Sequence, residues 1–416
     1  MKFLKNIYVI SVLTKINIVF FTFIGSILLN RFLGPTLKGE YSYIINYVSI
    51  ISLILTFSIT KALPFYMKQY GKEIEKQFIN FIYFLTLLYV FVTLAIYYYF
   101  DSKTLLIILL FSIFSQFYQQ ISFIAMIKNL YWKSILNQIE VIVYTIILFI
   151  TFFSDTNSNL DIIFLAYGFK IIFGISLYIF KFRIYPNKVG LNLVRFKEIM
   201  IFGFFPTVSA LLITLNYKVD VIILEKYVSY YDLGLYSLGV TLAGMLWIIP
   251  DAFKDVLFNK TARNDSIKDI VFSIKFNIYI SLVVFLGFLL FGNFFIKNIY
   301  GVDFAGAYSV VLILFLGNVP MIFFKMINTL YIAKGKQKIA MFILSIAVIL
   351  NVISNFVLIP LFSIEGAALS SVISYMLCGM IFLRIFVKEY EIKLRDIFKL
   401  NVNELDRIKL GRRGKK

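Results

Sequence analysis

Apolar blocks of about twenty residues recur from one end of the chain to the other, and no other feature constrains its fold as tightly. The stretch IYFLTLLYVFVTLAIYYYF, residues 82–100, is one of them. A helix rising 1.5 Å per residue needs about 20 residues to cross a hydrocarbon core of about 30 Å. A barrel strand would instead need about 10 residues of alternating polarity, and these runs do not alternate. Of the 416 residues, 61% are hydrophobic and 15% charged, against about 45–50% apolar and 25% charged in soluble domains. The chain therefore reads as an all-α polytopic membrane protein.

Twelve spans are expected, at roughly 7–30, 41–66, 79–100, 105–127, 135–154, 161–181, 199–225, 234–258, 270–296, 306–333, 339–362 and 366–388. GPTLKGE, MKQYGKEIEK, DSK, KNLYWKS, SDTNSN, NKTARNDS and AKGKQK punctuate them with loop signals. Of the 41 Lys and Arg residues, 28 fall on the side of the amino terminus, 5 on the other side and 8 within spans. That bias places both termini in the cytoplasm. The expected division is an N-terminal six-helix lobe at 1–181, a basic cytoplasmic linker at 182–198, a C-terminal six-helix lobe at 199–388 and a basic cytoplasmic tail at 389–416. Linker and tail suit anionic headgroups of membrane lipids, at about 1 kcal/mol per basic residue, better than nucleic acid. The first apolar run lacks a small-residue cleavage site and is read as a retained span.

Several chemistries are excluded. There is no histidine and one cysteine, Cys378, so no cofactor, metal cluster or Ser-His-Asp group is expected, and no catalytic residue is assigned. The extracytoplasmic loops are short, which leaves no room for a soluble-type active site. Gly34-x4-Gly39 begins like a phosphate-binding loop, but Glu40 stands where lysine is needed.

An internal repeat adds a constraint. A shift of 195 residues superposes Gly39-x-Tyr41-Ser42 on Gly234-x-Tyr236-Ser237, at equivalent places in two six-span halves. Because six is even, the halves enter the membrane in the same direction and form a parallel pseudo-repeat, with a path expected around a central cavity. Gly39 and Gly234 are expected at tight turns, with their tyrosines at the outer interface.

GPTLKGEYS, ITKALPFYM, VDVIIL…DLGLYSLG, IPDAFKDVLFNKTAR and NVISNFVLIPLFSIEGAALSSVIS occur in that order along nearly the whole chain. This ordered set resembles the polysaccharide-exporter branch of the multidrug/oligosaccharidyl-lipid/polysaccharide (MOP) superfamily. The resemblance implies a MATE-like fold of two six-helix lobes and a Wzx-type flippase for undecaprenyl-pyrophosphate-linked oligosaccharides, serving O-antigen, capsule or a related glycan. Other polysaccharide-assembly proteins are the implied partners. Two positions depart from the family pattern: Asn259 replaces a frequent proline and Ser58 a frequent glycine.

Charges inside spans then take on meaning. ITLNYKVDVIIL, residues 213–224, carries Lys218 and Asp220. They lie about 200° apart around a helix and cannot meet on one face. A pyrophosphate with about two negative charges needs help to cross hydrocarbon, and sugar hydroxyls need partners. The candidate substrate residues are Lys15, Lys170, Lys218 and Lys325, with the amides Gln116, Gln119, Asn351 and Asn355. Helix–helix adhesion is the competing role for those amides. Asp220 and Glu140 are candidates for ion coupling, with a structural partner the favoured reading of Asp220. A MATE-like cation antiporter is one alternative, although in-span basic residues outnumber acids 8 to 4. A membrane-embedded glycan polymerase is the other.

Overall fold

The computed structural model describes residues 7–71, 73–154, 158–190, 192–261, 267–334 and 336–399. The expected amino-terminal lysines, the linker residue Leu191 and the basic tail beyond 399 lie outside the described residues. Thirteen α-helices occur in the described residues: α1 Ile7–Thr56, α2 Ile59–Tyr70, α3 Ile74–Phe100, α4 Lys103–Lys128, α5 Leu130–Phe153, α6 Leu160–Phe182, α7 Leu193–Leu224, α8 Tyr230–Met245, α9 Ile248–Thr261, α10 Ile267–Ile299, α11 Ala307–Ala333, α12 Gln337–Glu389 and α13 Leu394–Phe398. No strand occurs among the described residues.

Nine of the described helical segments are long and apolar enough to cross a membrane, or ten if the bent pair α8–α9, broken by 43°, counts as one. Two of these segments are too long for one crossing. The segment at 14–70 holds 57 residues and that at 338–389 holds 52, which as straight helices would reach about 85 and 78 Å across a core of about 30 Å. Each contains a non-helical residue near its middle. Gly34 (φ 65°, ψ 175°) interrupts α1 and Ser363 (φ 53°, ψ −130°) interrupts α12.

The break in α1 corrects the turn expected at Gly39. Pro35 has its φ preset for a first helical position and lacks the N–H that would be orphaned there, so the residue before it must leave the helix. Gly34 does so. Gly39 and Gly234 both lie inside helices, and Tyr41 and Tyr236 are buried rather than interfacial.

The polar punctuation forms helix N-caps. The side-chain oxygens of Ser102, Asn129, Asn159 and Ser229 accept from the backbone N–H groups of Leu105, Trp132, Asp161 and Asp232, each cap being worth about 1 kcal/mol. At the carboxyl end of α3, Tyr98, Tyr99 and Phe100 are exposed, an aromatic belt of the kind that marks a membrane–water interface.

Two compact units divide the chain, residues 1–215 and 216–416, and α7 runs from the first into the second. In the first, α1 packs along α4 and α5, and α6 closes against the same two helices. Lipid is as apolar as leucine, so cohesion within a unit comes from close packing and interhelical hydrogen bonds. Thr145 donates to the Phe21 carbonyl at 3.1 Å. Tyr89 of α3 donates to the carbonyl of Leu55 at 3.1 Å, capping an acceptor that the end of α1 leaves open.

Between α1 and α2, Phe57 and Ser58 are both left-handed, at φ 42° and 45°. Gly203 of α7 closes on this break so tightly that a Cβ there would lie 2.1 Å from the Phe57 carbonyl oxygen. Beside it, the Phe65 and Phe202 rings stack with centroids 5.3 Å apart. In the second unit α11 is the central helix: 72% of its apolar window is buried, against 11% for α10. It packs against α8, α9, α10 and α12.

Candidate functional site: charge clusters at membrane depth

The first cluster belongs to unit 1. Glu140 lies about 15 Å along α5 and Lys170 about 18 Å from the end of α6, so the two antiparallel helices bring them to a similar depth. Glu140 is buried, at 3% exposure, and Tyr118 of α4 donates its hydroxyl proton to Glu140 Oε2 at 2.7 Å. The Tyr118 ring leans on Tyr178 of α6, with centroids 5.9 Å apart. Lys170 is half-buried, and its ammonium rests 5.0 Å from the centroid of the Tyr144 ring, one turn beyond Glu140 on α5. Lys170 and Lys133 are the cations whose fields reach Glu140, and Lys15 of α1 is the next cation out from Lys133. Lys133 and Lys170 thus share one carboxylate, that of Glu140.

Sequence reasoning had three members of this group. It missed Lys133, which stands in the loop signal KNLYWKS. The i, i+7 relation between Lys133 and Glu140, and the i, i+4 relation between Glu140 and Tyr144, were the signals available. Lys15 itself is exposed.

The second cluster belongs to unit 2 and centres on Asp220, buried at 2% exposure. Its carboxylate accepts from the Tyr236 hydroxyl of α8, from Ser371 Oγ of α12 at 2.9 Å and from the Val221 N–H at 3.0 Å. One turn earlier, Asn216 Oδ1 lies 2.5 Å from Ser374 Oγ, which is also 2.9 Å from the Ala347 carbonyl. Asp220 is thereby fixed by hydroxyls and backbone, and Lys218 stands half-buried on another face. Tyr217, Trp247 and Tyr375 form an aromatic group with centroids 5.6–6.5 Å apart.

Lys325 has a carboxylate of its own. Its ammonium lies 3.0 Å from Asp251 Oδ1 and 4.2 Å from the Trp247 ring centroid, at the bend between α8 and α9. Lys254 approaches the same oxygen at 3.6 Å.

The amides make helix-to-helix and intrahelical bonds. Gln116 donates to Thr86 Oγ1 at 2.8 Å and accepts from Gln120 at 2.6 Å. Gln119, which is exposed, reaches Ser52 Oγ at 3.2 Å. Asn355 donates to the Asn351 carbonyl and Oδ1 at 2.9 and 3.0 Å, and both asparagines are buried. No group of three His, Cys, Asp or Glu side chains that could hold a metal occurs among the described residues.

A family profile described as "Polysaccharide biosynthesis protein" matches residues 3–250, more than half of the chain. The chain belongs to that family. A second profile, "Lipid II flippase MurJ", matches residues 255–408. No curated protein sequence matches. Among solved structures, the lipid II flippase MurJ in an inward closed conformation is similar with a TM-score of 0.73 at 15% identity, covering 99% of this chain and 93% of that one. A point variant of the Vibrio cholerae MATE transporter VcmN is similar with a TM-score of 0.60 at 12% identity, covering 94% and 97%. A MOP superfamily transporter from Pyrococcus furiosus, described as having a binding pocket of reverse polarity, follows with a TM-score of 0.58 at 10% identity, covering 92% and 95%.

The MurJ/MATE fold expected from the sequence is therefore the fold observed. This member of the polysaccharide biosynthesis protein family is a multi-span helical membrane protein whose second part matches the lipid II flippase profile.

Proposed function

We propose that the protein turns undecaprenyl-pyrophosphate-linked oligosaccharide units from the inner to the outer leaflet of a bacterial cytoplasmic membrane, for O-antigen, capsule or a related surface polysaccharide. The observation that carries this reading is the convergence of Lys133 and Lys170 on the single buried carboxylate of Glu140, with Lys170 held at membrane depth against the Tyr144 ring. A diphosphate carries about two negative charges, and lysines are mobile point-charge ligands for phosphate. Lys218 adds a further cation at membrane depth, in unit 2. Lys325 remains in the proposal as a lysine whose charge Asp251 already shares. The sugars would be met by amides, of which exposed Gln119 is the most available. Asp220 or Glu140 would serve any ion coupling.

Twelve crossings are part of the same reading. Dividing α1 at Gly34 and α12 at Ser363, and counting α8–α9 as one broken span, gives twelve segments of membrane length. Both termini then fall in the cytoplasm. The polyprenyl tail would stay in lipid while the charged head moves by alternating access.

Deletion of the gene in its native host is the test. The expected result is accumulation of complete, unpolymerised lipid-linked units together with loss of surface glycan. Plasmid-borne wild type restores the polymer; Lys170→Ala and Lys218→Ala each lower recovery at least tenfold at equal protein in the membrane. Normal glycan with altered tolerance to toxic cations would instead establish an antiporter. Full recovery by both variants would remove those lysines from the path.

A further inference from the structure

In the unit 1 cluster the anion is held by a hydrogen bond, and Lys170 rests against an aromatic face. Glu140 is buried and held by Tyr118 at 2.7 Å. On its other side α6 leaves room for it at Gly174, where a Cβ would lie 2.7 Å from Glu140 Oε2 and 2.7 Å from the Tyr118 ring. Lys170, one turn from Gly174, rests on an aromatic face rather than in a tight pair. Lys133, two turns before Glu140, is half-buried. Both carry four-carbon stems that reorient easily.

This arrangement suits exchange of one anion for another. Lysines alone in a low dielectric would hold a diphosphate strongly, and transport requires that binding be weak enough to leave. A carboxylate waiting behind the lysines lowers their net attraction. It offers them a partner whenever the phosphate departs.

We propose that Glu140 is a resident counter-anion that competes with the substrate's phosphates for Lys133 and Lys170 and thereby sets how readily a bound diphosphate is released. The role is that of a positioning residue acting through the two lysines, and it rests on the flippase reading above.

The test uses the full chain in nanodiscs, titrated with decaprenyl diphosphate and, as an uncharged control, decaprenol. Wild type binds the diphosphate in preference to the alcohol. Glu140→Gln keeps an acceptor for Tyr118 and removes the charge, and it tightens diphosphate binding at least about tenfold, the order expected for each phosphate charge relieved of one unit charge at roughly 10 Å and an effective dielectric near 20. In vesicles the same variant lowers both KM and turnover for a lipid-linked diphosphate, and Glu140→Asp returns both toward wild type. Tyr118→Phe frees the carboxylate to compete and weakens binding, the opposite sign, which keeps the test decisive if the Gln variant fails to accumulate.

A purely structural role would lower turnover without lowering KM. Unchanged or weaker binding in Glu140→Gln, beside normal wild-type binding, overturns the exchange and leaves the flippase reading standing. For Tyr118→Phe, unchanged affinity has the same consequence. Wild type that binds diphosphate no better than decaprenol overturns both.

Discussion

Asp220 shows how a single residue hides its partners from the sequence. Its neighbour Lys218 is the obvious counter-charge by proximity, and helix geometry alone rules that pairing out. The groups that do satisfy the carboxylate are hydroxyls of Tyr236 and Ser371, 16 and 151 residues away. A pattern of charges cannot point to a tyrosine that alternates with leucines in LGLYSLG. The structure thus makes a prediction that the charge pattern alone does not. Asp220→Ala leaves two buried hydroxyls without their acceptor, at about 1–3 kcal/mol each, so the detergent-solubilised protein should melt markedly earlier. Tyr236→Phe in that background removes one orphaned hydroxyl, and the double variant should regain part of the lost stability. Additive losses in the cycle would show that the two side chains do not act together.

At the scale of elements, the periodicity of the apolar blocks locates helices well because about 20 residues must clear the lipid core in any fold of this kind. It does not locate the breaks inside them. The motif GPTLKGEYS has two glycines, and only the stereochemistry of Pro35 decides that the chain leaves the helix at Gly34. The break at Phe57–Ser58 is harder still, because neither residue is a habitual left-handed former. What holds it is tertiary. Gly203 brings the α7 backbone against the Phe57 carbonyl, and Tyr89 takes the Leu55 carbonyl.

Two substitutions follow from that geometry. Gly203→Ala forces a Cβ into the carbonyl and should destabilise by several kcal/mol, about 2–4 by analogy with overpacked cores, seen as an early melt and poor accumulation in the membrane. Ser58→Gly places the family's common residue at φ 45°, and should be neutral or stabilising by up to about 1 kcal/mol. A strongly destabilised Ser58→Gly protein would mean that the serine hydroxyl, rather than the backbone conformation, matters at the break.

For the whole molecule, the basic residues speak to orientation while the membrane-depth lysines speak to function, and net charge alone cannot separate the two. Of 41 Lys and Arg residues, the 28 expected on one side support the proposed cytoplasmic orientation; the unit 1 cluster becomes visible only when α5 and α6, which carry Lys133 and Lys170 37 positions apart, are packed together. The orientation can be measured directly. Cys378 is buried and is the sole cysteine, so Cys378→Ala supplies a cysteine-free background in which single cysteines report their side. In intact cells, an impermeant maleimide should label Lys103→Cys, at the first residue of α4, and Lys226→Cys, after α7, both expected to face outward. Lys188→Cys in the linker and Lys393→Cys ahead of α13 should label only after the membrane is permeabilised. Lys188 and Lys393 flank the second six-span half. Labelling of one but not the other in intact cells would mean an odd number of crossings between them, and the parallel relation of the two halves would fall with the twelve-span count.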